Sequence, residues 1–127
     1  MPNGTLSLSF ERAAQSLRDI LDSIANIEAF TSGMTLDGFR TDPKTVAAVE
    51  RKLPVISEAA IRLGDQGPAL CPDQPRPKIR GAGNWIRHQY ERINLEDIWR
   101  TVAQDLPALK ASAARALAAF PEAGTDQ

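Results

Sequence analysis

Arg80, Asn84, Arg87, His88 and Glu91 fall within one twelve-residue stretch, Arg80–Glu91. If that stretch is helical, spacings of three, four and seven gather all five on one face. His88 is the only histidine of the chain, and the only tyrosine, Tyr90, follows two residues later. Nearby guanidiniums favour a neutral imidazole. A neutral imidazole accepts a proton near pH 7, and an arginine stabilises developing negative charge. Together they suit transesterification at an RNA phosphodiester. His88 would deprotonate the 2′-hydroxyl, Arg87 or Arg80 would hold the charge on phosphorus, and Asn84 would orient. That chemistry needs no metal.

The plainer reading is a solvated outer face on which Arg87 and Glu91 pair at i,i+4, worth about 0.3–0.5 kcal/mol. Tyr90 lies toward the apolar side of the stretch. Either its ring packs with the hydroxyl reaching out, or the hydroxyl sits at the mouth of the site, where it contacts a ligand or receives a modification. Trp85 and Trp99 read as core or interface anchors before ligand-stacking platforms. Trp85 flanks the ladder, one turn before His88, and could face a partner chain. Glu58, on the preceding helix, either faces solvent or turns inward to hydrogen-bond Arg80 or Asn84.

The elements that must position these residues are helices. Phe10, Ala13, Ala14, Leu17, Ile20, Leu21, Ile24 and Ile27 form a stripe of threes and fours, with Ser9 as the expected N-cap and Gly33 near the stop. A short piece covers Thr35 to Phe39. Asp42-Pro43 reads as an N-cap followed by proline at the first helical position. Val46, Val49, Leu53, Ile56, Ala60 and Leu63 form the next stripe, and Pro54 inside it predicts a kink. Residues 65–78 hold Pro68, Pro72, Pro75 and Pro77 and read as a long loop that could rim a site. Ile79, Ala82, Gly83, Ile86 and Tyr90 line the apolar side of the third long helix. Its glycines, Gly81 and Gly83, allow another backbone to approach closely. Asn94 caps a last helix striped by Ile98, Trp99, Val102, Leu106, Leu109, Ala113 and Leu117, with a bend predicted at Pro107. There is no strand pattern and no repeat. The expected fold is all-α, an antiparallel bundle of four to five helices. Residues 1–127 read as a single domain, with the polar tail 121–127 disordered.

Composition narrows the function. The 127 residues are 43% hydrophobic and 24% charged, with a net charge of −1. That excludes a general nucleic-acid coat, so any RNA contact must come from a local patch or from a dimer that pools patches. One cysteine, Cys71, excludes an internal disulfide and any multi-cysteine zinc site. No glycine-rich phosphate loop follows a strand, and Gly81-x-Gly83 inside a helix is no dinucleotide fingerprint. Neither His-Glu-x-x-His nor a serine-hydrolase elbow occurs. No cofactor and no metal are expected. The chain shows no apolar run of membrane length and no leader pattern, so the cytoplasm is the expected location.

Gly83-Asn84-Trp85-Ile86-Arg87-His88-Gln89-Tyr90, followed by Ile93-Asn94-Leu95-Glu96-Asp97-Ile98-Trp99, resembles the HepT-like proteins of the HEPN superfamily. Asp42-Pro43-Lys44-Thr45-Val46, Ile56-Ser57-Glu58-Ala59-Ala60 and Asp105-Leu106-Pro107-Ala108-Leu109 extend the resemblance over roughly residues 9 to 120. It implies a homodimer of helical bundles in which two arginine-histidine motifs meet near a cleft. It further implies a metal-independent ribonuclease toxin, paired with a nucleotidyltransferase antitoxin of the MntA type. Such a partner transfers AMP onto the motif tyrosine, here Tyr90, adding bulk and negative charge near His88 and Arg87. The chain departs from the family pattern at Gly83, where the motif arginine would fall. Arg80 lies one residue outside the motif spacing, and Arg87 directly precedes the histidine. Two expectations follow: an active ribonuclease, or a non-catalytic HEPN subunit that dimerises and docks a nucleotidyltransferase. A phosphate-holding nucleotide-binding module is a third, weaker one.

Overall fold

The computed structural model describes the backbone of residues 3–64 and 76–119, and the side chains of residues 11–63 and 79–119. The element order is α1 (Asn3–Thr31), α2 (Leu36–Arg40), α3 (Pro43–Gly64), α4 (Arg76–Glu91), α5 (Leu95–Arg100), a π-helical turn (Thr101–Asp105) and α6 (Leu106–Ala118). No strand occurs among the described residues. The long loop expected from residue 65 lies outside them as far as residue 75, and residues 76–78 are already helical. The tail 121–127 also lies outside them.

Local chemistry sets most of the helix boundaries. α1 starts at Asn3, six residues before the expected cap at Ser9. No glycine or proline interrupts Thr5 to Phe10, and an internal serine costs a helix well under about 1 kcal/mol, so the helix runs straight through. Gly33 adopts φ +74 just past its end. The Gly38 N–H donates to Thr35 Oγ1 at 3.1 Å and caps α2. Asp42 caps α3: its carboxylate accepts from the Thr45 hydroxyl at 2.9 Å and from the Thr45 N–H at 3.2 Å. Those two bonds, the hydroxyl's first, hold the Asp42 carboxyl below its usual range. Pro54 removes one backbone bond inside α3 without ending the helix. The Asn94 side chain accepts from the Asp97 N–H at 3.0 Å and starts α5.

The bend expected at Pro107 takes the form of a π-helical turn. Pro107 has no N–H for the Ala103 carbonyl, and its ring would press on that oxygen. The chain widens just before it, and the Leu106 N–H donates to Thr101 O instead.

Packing then fixes the bundle. α3 lies against both α1 and α4, and α6 closes on α1. The shared core holds Leu17, Ile20, Ile24 and Ile27 of α1, Val49, Leu53, Ile56 and Leu63 of α3, and Ile79 and Ile86 of α4. Ile98, Leu106 and Leu109 complete it from the C-terminal run. Each such side chain contributes about 1.5–3 kcal/mol on burial. The surface ion pairs Arg40–Glu96 (2.8 Å), Lys110–Glu28 (3.1 Å) and Arg62–Asp19 (3.4 Å) are partly solvated, worth about 0–1 kcal/mol each. Apolar burial therefore holds the helices together. Trp99 meets the expectation of an anchor, with its ring centroid 5.2 Å from that of buried Phe39. Among the described residues no helix is long and apolar enough to cross a membrane.

Among the described residues one non-glycine backbone position has a positive φ. Ile93 has φ +54, a left-handed conformation that β-branched residues rarely adopt, and its side chain is 75% exposed. The Ile93 N–H donates to Tyr90 O at 3.3 Å and closes the end of α4 there. Ile93→Gly is expected to raise unfolding free energy by about 0.5–1 kcal/mol, since relieved strain outweighs the added chain entropy. Urea denaturation measures this, and a loss of stability would show that the isoleucine is not strained.

Candidate active site

The burial pattern of α4 splits it into two faces. Ile79, Gly83, Ile86 and Gln89 are buried, whereas Arg80, Asn84, Trp85, Arg87, His88 and Glu91 are exposed. At about 100° per residue the exposed side chains fall in a fixed order around the helix. Arg87 borders α3, Arg80 and Glu91 come next, then Asn84, then His88, with Trp85 at the α6 edge. Asn84 lies three residues before Arg87 and four before His88, so it touches both neighbourhoods. A phosphate resting over Asn84 would have a guanidinium on one side and an imidazole on the other. The Arg87–Glu91 ion pair of the plainer reading is not formed, and Arg87 has no ion-pair partner among the described residues.

Two further candidates sit elsewhere. Tyr90 is half-buried against the core on the α3 side, roughly 200° around the helix from His88. It does not share the His88 face, but it follows Arg87 by one turn. Glu58 is exposed on α3 and makes no hydrogen bond with Asn84.

Gly83 has a strict steric role. A Cβ there would lie 2.9 Å from Ala60 Cβ, 2.9 Å from Ser57 O and 3.2 Å from Ile61 Cγ1. The buried Ser57 hydroxyl donates to Gly83 O at 2.8 Å. α3 and α4 thus touch backbone to backbone at the position where the motif arginine would fall. Gly81, by contrast, faces open space. An arginine cannot occupy position 83 in this packing, which leaves Arg80 and Arg87 as the guanidiniums on the face among the described residues.

Trp85 is not a core residue: it is 50% exposed, and its indole N–H donates to Asp105 Oδ2 at 2.9 Å. Its ring centroid is 6.2 Å from that of His88, with the planes inclined by 43°. A groove of about 300 Å³ runs beside it between α4 and α6, lined by Ile79, Ala82, Trp85, Asp105, Leu109 and Ser112 among others. Sequence reasoning missed Asp105. The signal was present in Pro107, whose π-helical turn presents that carboxylate, but a proline predicts a bend and not its phase. Also missed were Gln89 Nε2 and Thr101 Oγ1, which are buried without a hydrogen-bond partner among the described residues.

Residues 20–116 match the family model for ribonuclease HepT-like proteins. The chain is 33% identical over 94 residues to a Thermococcus cleftensis protein named as a probable ribonuclease HepT, covering 74% of this chain and 86% of that one. It is 37% identical over 91 residues to a Methanocaldococcus jannaschii protein whose name marks it as a candidate RNase, covering 72% and 75%. A Caldanaerobacter subterraneus protein with the same kind of name is 27% identical over 94 residues, covering 74% and 84%. No solved structure matches the chain.

Proposed function

The chain belongs to the ribonuclease HepT-like family, and from that premise we propose that the exposed face of α4 is an endoribonuclease site. The observation that carries the reading is the placement of His88, Asn84 and Arg87 on one solvent face, with no ion pair on Arg87 among the described residues. His88 takes the proton of a ribose 2′-hydroxyl, and that oxygen attacks the adjacent phosphorus. Arg87, helped by Arg80, stabilises the doubly charged phosphorane, which is the larger electrostatic demand. The 5′-oxygen leaves with a proton from the imidazolium that His88 has become, giving a 2′,3′-cyclic phosphate and a 5′-hydroxyl end. No step in this sequence calls for a metal ion.

The regulation belongs to the same reading. The chain acts as a toxin whose partner is a nucleotidyltransferase of the MntA type, which places AMP on Tyr90. The position of Tyr90 supports this through Arg87, one helical turn away. A tyrosyl phosphate there would pair with that guanidinium and compete with RNA. Two copies of the chain, each supplying an α4 face, would wall the open surface into a cleft that excludes water.

A second reading rests on Gly83, which leaves the motif arginine without a place. In it the chain is a non-catalytic subunit that dimerises and docks the nucleotidyltransferase. One sample separates the two readings. Purified chain in EDTA is expected to cut RNA, to scatter light as a dimer at micromolar concentration, and to gain AMP on Tyr90 when given ATP and such a nucleotidyltransferase. A chain inert toward cellular RNAs, with or without divalent ions, supports the docking subunit. A monomer removes the two-copy cleft, and an unmodified Tyr90 removes the regulation.

A further inference from the structure

Trp85 is the large apolar side chain that folding leaves in water on the reactive face. Half of it is exposed, although tryptophan is on average highly buried. The ring is nevertheless held. Its N–H donates to Asp105 Oδ2 at 2.9 Å, and Asp105 is the last residue of the π-helical turn Thr101–Asp105. That turn inserts one residue into the helical phase, and π-helical turns recur at functional sites. Indole and imidazole centroids are 6.2 Å apart. A ring resting on Trp85 would therefore lie within one nucleotide of a phosphate at His88.

The groove beside Trp85 sorts ligands by charge. Ile79, Ala82 and Leu109 give it apolar walls, and among the described residues no lysine or arginine lines it. Its charged member among the described residues is the Asp105 carboxylate, which repels phosphate. The cationic side chains Arg80 and Arg87 lie on the opposite flank of the α4 face. An RNA strand has both chemistries: an anionic backbone for the arginine flank, and flat uncharged rings for the indole flank. Stacking on an aromatic side chain accepts any base, because every base has a π-face.

We propose that Trp85 and the α4–α6 groove form a nucleobase-stacking subsite that holds the base next to the scissile phosphate, with Asp105 as the positioning residue that fixes the indole. This rests on the ribonuclease reading of the His88 face and adds where the base goes.

The chain has two tryptophans, so Trp99→Phe leaves Trp85 as the sole indole reporter. RNA oligonucleotides blocked with 2′-O-methyl groups are titrated against that variant. Saturable quenching is expected, and an oligonucleotide of the same length without bases should quench at least about tenfold more weakly. Trp85→Ala should weaken RNA binding, read by anisotropy of labelled RNA, by about 10- to 100-fold. Trp85→Phe should keep most of it, and circular dichroism confirms that both variants fold. In a cleavage assay Trp85→Ala should raise KM more than it lowers kcat. Wild-type RNA affinity and KM in Trp85→Ala would overturn the subsite while leaving the nuclease reading intact. Quenching by blocked RNA in a chain that cuts no RNA would sink the nuclease reading, and with it the scissile phosphate, while keeping Trp85 as a base-stacking site. Fluorescence that ignores RNA but changes with protein concentration would assign Trp85 to a second copy and overturn the proposal.

Discussion

His88→Ala will remove RNA cleavage, with a loss of about 10²–10⁴-fold in kcat, the range for deleting a general base. The expectation follows from placement. His88 is exposed on α4 and contributes nothing to the core, so the substitution leaves packing untouched. It is also the only imidazole in the chain, so no neighbouring histidine can replace it. Thermal melting within a degree or two of wild type, together with lost cleavage, separates chemistry from folding. If the variant cuts RNA at the wild-type rate, the proton is taken elsewhere and the His88 assignment falls.

Gly83→Ala has the opposite character: a small change that the fold resists. The added methyl would meet Ser57 O and Ala60 Cβ at 2.9 Å. Overpacking of this kind costs about 1–3 kcal/mol. A contact of 2.9 Å with backbone puts the cost at the upper end of that range, so after alanine recovers up to about 1 kcal/mol through helix propensity a net loss of about 2 kcal/mol remains. Ser57 O and Ala60 Cβ have little freedom, since both belong to the middle of α3. Gly83→Arg, which puts the motif arginine back in its family position, would force α3 and α4 apart and lose more. Urea denaturation measures both. A Gly83→Ala chain as stable as wild type would mean that the two helices part at a cost no larger than the propensity gain, and the steric exclusion of an arginine at position 83 would fall.

These two predictions mark how much of the molecule the sequence discloses. The stripes on α1 and α3 were legible because both helices bury one continuous face, which a 3.6-residue period reports directly. The caps at Asp42 and Asn94 were legible because each is a local side-chain-to-backbone bond. The start of α1 was not, because a serine inside a helix and a serine capping one look alike until the upstream residues are seen to continue the helix. On α4 the exposed ladder could be drawn from spacing alone. What spacing cannot give is the height of the neighbouring helix. Gly83 is a contact and Gly81 is open because α3 passes over one and not the other. That Trp85 stays half exposed and does not enter the core was illegible for a similar reason. Whether α6 covers it depends on the phase of a helix twenty residues later, and the π-helical turn before Pro107 sets that phase. The hydrogen bond to Asp105 is a consequence of that turn and has no counterpart in the local sequence.

The same geometry orders the chemistry along α4. The helix carries cations at its α3 edge, the imidazole at the centre and an indole at its α6 edge. On the proposed reading, an RNA strand lying across it meets backbone-binding, reacting and base-holding groups in turn. Tyr90 stands outside that line, beside Arg87, where a modification would act on the phosphate-binding end and leave the imidazole itself unobstructed.

The most direct test is the identity of the ends left by wild-type chain acting on RNA in EDTA, with one 2′-deoxy substitution placed at a known cut. Mass spectrometry should find 2′,3′-cyclic phosphate and 5′-hydroxyl ends at the unsubstituted cuts, none at the deoxy position, and none anywhere with His88→Ala. Ends bearing 5′-phosphate, or cutting that proceeds unchanged at the deoxy position, would contradict attack by the ribose hydroxyl and with it the role given to His88.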